Sequence, residues 1–190
     1  MSEQIINLTS DLVNTLRNKL GIDAGASLTK ISYIKDDKLT FISFLTNYKD
    51  IYKFINENQE LKINLTGGKA FEIYKNINKE KKSKLIDEFE AQVKGIEILF
   101  EINKKQVPNE SLFISVGTGT SILHIKSQGD RKSFERIGGS ALGGGTFMGL
   151  IKLLFNMNDF DEAVKLAKKG NPYNVDLKVA DIYEEEDDRV

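Results

Sequence analysis

The chain has 190 residues, of which 40% are apolar and 29% charged, with a formal net charge of −1. This is the size and composition of one globular domain, or one and part of another, and the near-neutral charge excludes nucleic acid or an anionic membrane as a bulk partner. With no cysteine and a single histidine, disulfides, thiolate chemistry and His-rich metal sites are excluded too, and a cytoplasmic location fits.

No apolar run reaches membrane-spanning length, and the N-terminus lacks the layout of a signal peptide. Residues 1–20 are expected to form an appended amphipathic helix, because Ile5, Leu8, Leu12, Leu16 and Leu20 recur at helical spacing. From Gly21 the pattern changes to strands. Ile22 closes a short strand, Ala24–Gly25–Ala26 make a turn, and Leu28–Ile34 alternates as a second strand. Asp23 sits at this turn, Ser27 and Thr29 offer hydroxyls, and Lys30 follows. Turn N–H groups cradle phosphate, a carboxylate orients a magnesium ion or its waters, and a lysine offsets phosphate charge. A β-hairpin containing Asp and Gly accounts for the same residues without any ligand.

Lys38–Leu45 reads as a third strand, Tyr48–Asn58 as a helix, and Leu61–Leu65 as a strand ending in the tight turn Thr66–Gly67–Gly68, with a helix over Lys69–Ile77. A long helix is expected over Lys82–Ile102, capped by Ser83. Asp87, Glu88 and Glu90 fall in its early turns, where negative charge suits the helix dipole. One of the three facing a cleft as a general base is the other reading, and periodicity does not choose between them.

After Pro108, Leu112–Val116 reads as a buried strand, Gly117–Thr120 as a turn of glycines and hydroxyls, and Ser121–Ile125 as a strand followed by a polar loop carrying Arg136. Gly143, Gly144 and Gly145 open an amphipathic helix. Backbone N–H groups at a helix start carry partial positive charge, and glycine lets them approach a phosphate closely. Asp159–Lys169 is a further helix, and residues 184–190 form an acidic tail expected to be solvated.

The runs GIDAGASLTKI, LTGG, DEFEAQVKGI, SVGTGTSIL, ERIGGSALGGGTFMGLIKLL and DFDEAVKLAKKGNPYNVDLKVADIY together resemble type II pantothenate kinases, in the family's order over residues 21–183. The resemblance implies an α/β fold of the ribonuclease-H-like, actin-like ATPase superfamily, shared with acetate and sugar kinases, with two lobes closing on a nucleotide. It also implies ATP- and Mg2+-dependent phosphorylation of pantothenate to 4'-phosphopantothenate, the first step of coenzyme A biosynthesis. Such proteins are typically homodimers, and some are inhibited by acyl-coenzyme A.

Matched by position, Glu88 is implied as the general base, and Arg136 as contacting pantothenate and the site of transfer. Thr118 and Ser121 are implied as substrate-binding hydroxyls. Asp23, with the metal, Gly25, Ser27, Thr29 and Lys30 are implied for the first phosphate loop, and Gly143–Gly145 near the nucleotide phosphates. Two departures stand out. Ala26 places a methyl in the phosphate loop, a cost on the order of 1 kcal/mol if that position needs positive φ. The chain also ends soon after Tyr183, where the family continues, so the second lobe is expected to be incomplete and the helix from Gly145 to expose apolar surface unless a partner, such as a missing C-terminal half, covers it. The alternative expectation is a truncated, non-catalytic or partner-dependent homologue acting as a binding or regulatory subunit.

Overall fold

The computed structural model describes residues 2–77, 83–128, 131–177 and 181, with backbone only at 128, 131 and 132. The acidic stretch 184–190 and the expected domain end at 183 lie outside the described residues.

The first sheet begins with β1 (Ser2–Asn7) and, after helix α1 (Ser10–Leu16), continues with β2 (Lys19–Ala24), β3 (Leu28–Lys35) and β4 (Lys38–Leu45). Helix α2 (Tyr48–Glu57) leads to β5 (Lys62–Thr66), and α3 (Ala70–Asn76) to β6 (Ser83–Leu85). The strand order is β1-β4-β3-β2-β5-β6. Strands β2, β3 and β4 form an antiparallel meander, whereas β5 and β6 run parallel to β2 through helical crossovers. This meander with a parallel extension is the ribonuclease-H-like arrangement.

Side-chain alternation decides the rest. On β2, Leu20, Ile22 and Ala24 are buried; on β5, Ile63 and Leu65 are. They pack against Ile51 and Ile55 of α2 and Ile73 of α3 in one core, where each fully buried aliphatic side chain contributes about 1.5–3 kcal/mol. The intervening residues, Gly21 and Asp23 on β2, Lys30 and Ser32 on β3, Asn64 and Thr66 on β5, are thereby turned to the other face of the sheet.

Helix α4 (Glu88–Ile102) leads into a second sheet of β7 (Glu110–Val116), β8 (Thr120–Gln128) and β9 (Arg131–Ser140), all antiparallel. Phe89, Val93 and Ile96 of α4 pack on Phe113, Leu123 and Ile125 in a second core. Helices α5 (Gly144–Phe155) and α6 (Phe160–Ala167) follow, with Phe147 and Phe160 edge to face at 6.3 Å.

Four expectations are corrected. Residues 3–20 do not form one helix: the first six described residues pair antiparallel with β4, extending the sheet, and only Ser10–Leu16 is helical. The helix over Lys82–Ile102 starts six residues late, because Ser83–Leu85 pairs with β5 and Asp87, not Ser83, caps the helix. Strand β7 is half-buried on one face only, through Phe113, while Leu112, Ile114 and Val116 on the other face are exposed. Arg136 stands within β9, not in a loop. As expected, α5 leaves Leu150, Leu153, Leu154 and Phe155 exposed, and it buries none of its residues.

Candidate active site

The three early acids of α4 separate into three roles. Asp87 accepts hydrogen bonds from the N–H groups of Phe89 and Glu90, both at 3.0 Å, and is the helix cap. Glu90 pairs with Lys94 at 2.8 Å, and the hydrogen bond from that ammonium holds its carboxyl below the usual range. Glu88, the first helical residue, is exposed and alone of the three lines a cavity of about 690 Å³ between the first sheet and α4.

Asp23 and Lys30 line the same cavity, brought there from β2 and β3. They are cross-strand partners, and Lys30 Nζ lies 2.8 Å from Asp23 Oδ2. Beneath Asp23 runs the turn after β5. Gly67 has φ of +93°, and a Cβ there would meet the Asp23 carboxylate and lie 2.8 Å from the Ala24 carbonyl, so only glycine lets the turn come this close. Sequence reading saw a tight turn at Gly67 but gave it no place in the site. The signal was available: a Gly-Gly pair directly after a strand parallel to the one carrying Asp23.

Thr29 is removed from the ligand-facing set. It shares the core face with Ile31, is 0% exposed, and its hydroxyl lies 3.0 Å from that of Thr46. Thr46 in turn donates to the Gly25 carbonyl at 2.9 Å and, from its N–H, to the Ser27 carbonyl at 3.0 Å. Thr29 and Thr46 therefore hold the loop from inside, a role for Thr46 that no sequence motif announced. Gly25 spends its N–H on Leu28 within the same turn. Ala26 is not among the residues with positive φ, so its methyl carries no backbone strain.

Ser27 lies at the junction with the second sheet, its hydroxyl 3.2 Å from that of Thr118 in the β7–β8 turn. Ser121 accepts a hydrogen bond from Arg136 Nε at 3.3 Å across β8 and β9. Neither Ser121 nor Arg136 lines the cavity that holds Glu88. The glycine run is also occupied differently from the expectation. The N–H groups of Gly144 and Gly145 donate to the carbonyls of Gly117 and Thr118 at 2.8 and 3.1 Å. Gly143 is pressed against that turn, where a Cβ would stand 2.7 Å from Gly119 Cα. These glycines dock the start of α5 onto the β7–β8 turn, and their first two helical N–H groups are not directed at a ligand.

Among the described residues no group of three or more His, Asp or Glu side chains is placed to hold a metal ion. A half-exposed Asp23 beside Lys30 fits a divalent metal that arrives with nucleotide phosphates, which needs only one or two protein carboxylates. Among the described residues no helix is long and apolar enough to cross a membrane.

The mixed sheet of the first lobe, with a second sheet joined at its rim, has the arrangement of the actin-like ATPase fold. The Fumble family profile matches residues 19–190. The chain is 38% identical over 171 residues to a type II pantothenate kinase of Bacillus cereus, covering 88% of this chain and 60% of that protein. It is 38% identical over 168 residues to a type II pantothenate kinase of Staphylococcus saprophyticus, covering 88% and 61%. The chain thus belongs to the Fumble family, that of the type II pantothenate kinases, and spans about 60% of the length of the curated relatives it matches. Among solved structures it is similar to the ethanolamine utilization protein EutJ of Carboxydothermus hydrogenoformans, with 14% identity, a TM-score of 0.47 and coverage of 79% of this chain and 61% of that one. It is also similar to glucokinase of Balamuthia mandrillaris in complex with glucose, with 13% identity, a TM-score of 0.45 and coverage of 79% and 62%.

Proposed function

We propose that the chain takes part in ATP-dependent phosphorylation of pantothenate to 4'-phosphopantothenate, the first step of coenzyme A biosynthesis. The observation that carries this reading is the convergence of Asp23, Lys30 and Glu88 on one cavity, in a chain of the type II pantothenate kinase family. Phosphoryl transfer asks a protein for positioning and charge neutralisation more than for covalent chemistry, and these residues divide that work.

Glu88 accepts the proton of the attacking primary hydroxyl, a task suited to a carboxylate within hydrogen-bond reach. Asp23 would hold a divalent metal such as Mg2+ arriving with the nucleotide, and Lys30 beside it would offset phosphate charge. Bound ATP with its metal supplies the phosphoryl group and offsets the charge that develops on transfer. Ser27 and Thr118 hold the two loops together at the rim. Ser121 accepts a hydrogen bond from Arg136 on the second sheet, outside the cavity that holds Glu88, so a substrate contact by this guanidinium, as the family resemblance implies, requires the two sheets to close on each other. Gly143–Gly145 keep the β7–β8 turn and the start of α5 in contact beside the nucleotide.

The reading includes a cytoplasmic location, which the absence of cysteine supports. It includes a homodimer or a further chain segment covering the exposed apolar side of α5, and inhibition by acyl-coenzyme A as in some relatives by resemblance.

The test is ATP- and Mg2+-dependent formation of 4'-phosphopantothenate by the purified chain, with Glu88→Gln alongside. Turnover that falls about 10²–10⁴-fold in the Gln variant supports the base assignment. Equal turnover in both overturns it, and a folded wild-type chain without turnover overturns the reading for this chain.

A further inference from the structure

One wall of the cavity that holds Glu88 comes from outside the stretch that the family profile matches. That match begins at residue 19, yet Ser2, Gln4 and Ile6 of β1 line the cavity. They alternate onto one face of the strand, which pairs with β4 over its whole length. The register aligns them with the proposed site. One row across the sheet reads Ser2, Ser43, Lys30 and Asp23, from β1 through β4 and β3 to β2. The Ser2 and Ser43 hydroxyls in that row stand 2.7 Å apart. Gln4 lies in the next row, opposite Phe41, and is exposed, so its carboxamide is open to whatever enters the cavity.

The two ends of the cavity differ in chemistry. Its lining has two carboxylates, Asp23 and Glu88. Glu88 enters two positions after Ile86, whose N–H donates to the Leu65 carbonyl on β5 at 2.8 Å. Asp23 stands on β2, the strand beside β5. Both acids are therefore at the β5 side. Beyond Lys30, on β4 and β1, the polar lining consists of the two serine hydroxyls and the Gln4 carboxamide, all able to donate hydrogen bonds. Strand β1 lies two strand spacings past β3, about 10 Å.

From this we infer that Gln4 is a specificity-determining residue, whose carboxamide N–H donates to an anionic oxygen group of the molecule that fills the cavity. The inference rests on the functional reading above and deepens it. Lys30 supplies the charge for such a group, and the donors on β4 and β1 supply its hydrogen bonds. The carboxylate of pantothenate and the phosphates of ATP share this chemistry, and the experiment tells them apart. The N-terminal strand is thus part of the binding site and not only an extra strand on the sheet.

The chain has no cysteine, so a single introduced thiol is its only target for N-ethylmaleimide. Gln4→Cys places that thiol on the cavity side of β1, and Ile5→Cys places it on the opposite, exposed side. Each variant is labelled alone, with pantothenate and with ATP and Mg2+, and affinities are measured by calorimetry. A ligand at about ten times its Kd is expected to slow labelling of Gln4→Cys about tenfold. Labelling of Ile5→Cys is expected to stay unchanged, and the ligand that protects Gln4→Cys identifies the group bound. Charge gives a second readout. Gln4→Lys is expected to tighten that ligand, and Gln4→Glu to weaken it, by about threefold to fivefold each. Shifts in the same direction mark a structural role and overturn the assignment, as does equal protection of both thiols. Binding to the wild type without protection of Gln4→Cys by either ligand overturns the subsite and leaves the functional reading standing. A folded wild type that binds neither ligand removes the functional reading, and the subsite falls with it.

Discussion

The hydroxyls of Ser27 and Thr118 lie 3.2 Å apart although 91 positions separate them in the chain. Ser27 belongs to the hairpin loop of the first sheet and Thr118 to the first turn of the second, so this contact ties the two sheets at the rim of the site. Removing either hydroxyl is expected to cost little on its own, because both residues are solvent-accessible. A double-mutant cycle of Ser27→Ala and Thr118→Val should return a coupling of about 0.5–1 kcal/mol in urea unfolding. Strict additivity would mean that the contact contributes nothing to holding the sheets together.

Gly67 and Gly68 are adjacent but should respond oppositely to the same substitution. At Gly67 the positive φ and the nearby Ala24 carbonyl leave no room for a methyl, whereas nothing lies within 4 Å of one at Gly68. Gly67→Ala should lose about 2 kcal/mol or more, and Gly68→Ala should stay within about 0.5 kcal/mol. Equal melting temperatures for the two variants would refute the close approach to Asp23.

A second pair tests how α5 is seated. Gly143→Ala should destabilise by about 1–3 kcal/mol through the clash with Gly119 and the Thr118 carbonyl. Gly149 lies in the interior of α5 with open space around it, so Gly149→Ala should raise stability by up to about 1 kcal/mol, as expected for a helix. Denaturant midpoints of the two variants, moving in opposite directions, are the readout.

How much of this was legible beforehand varies with the length scale of the cause. Strands β2 and β5 alternate cleanly, so the local pattern puts Asp23 and Lys30 on one face of the sheet, where they line one cavity. Thr29 was misplaced although the same alternation, applied one residue further, puts it beside Ile31 in the core. The first twenty residues fit a helix by spacing, but residues 2–7 pair with the β4 edge, a tertiary contact that outweighs a weak local preference. In the long helix the expected cap was Ser83, but Ser83–Leu85 pairs with β5 and Asp87 caps the helix instead. The roles of Asp87, Glu88 and Glu90 depended on which way each side chain faced, which spacing within one helical turn leaves open.

A pH effect is expected at the edge of the second sheet. Glu110 on β7 is held below the usual carboxylate range first by its hydrogen bond with His124 at 2.7 Å, then by Lys126. A lowered carboxyl contributes stability that is present above its ordinary pKa, about 4.5, and is lost as pH falls through the lowered value. The stability difference between wild type and Glu110→Gln should hold above about pH 5 and shrink on acidification. A difference that grows below pH 4 would contradict the assignment; unfolding by urea at each pH measures it.

Helix α4 presents Phe89, Val93 and Ile96 to the second core and Glu88, Ala91 and Gln92 to the cavity of the first sheet. Each residue advances the helix by about 100°, so one residue gained or lost between Glu88 and Val93 would turn the glutamate by more than a quarter of a circle relative to the apolar stripe that anchors it. The helix is in effect a gauge with a fixed phase. An in-frame insertion there would uncouple the cavity-facing carboxylate from its anchor while leaving both stretches of sequence intact.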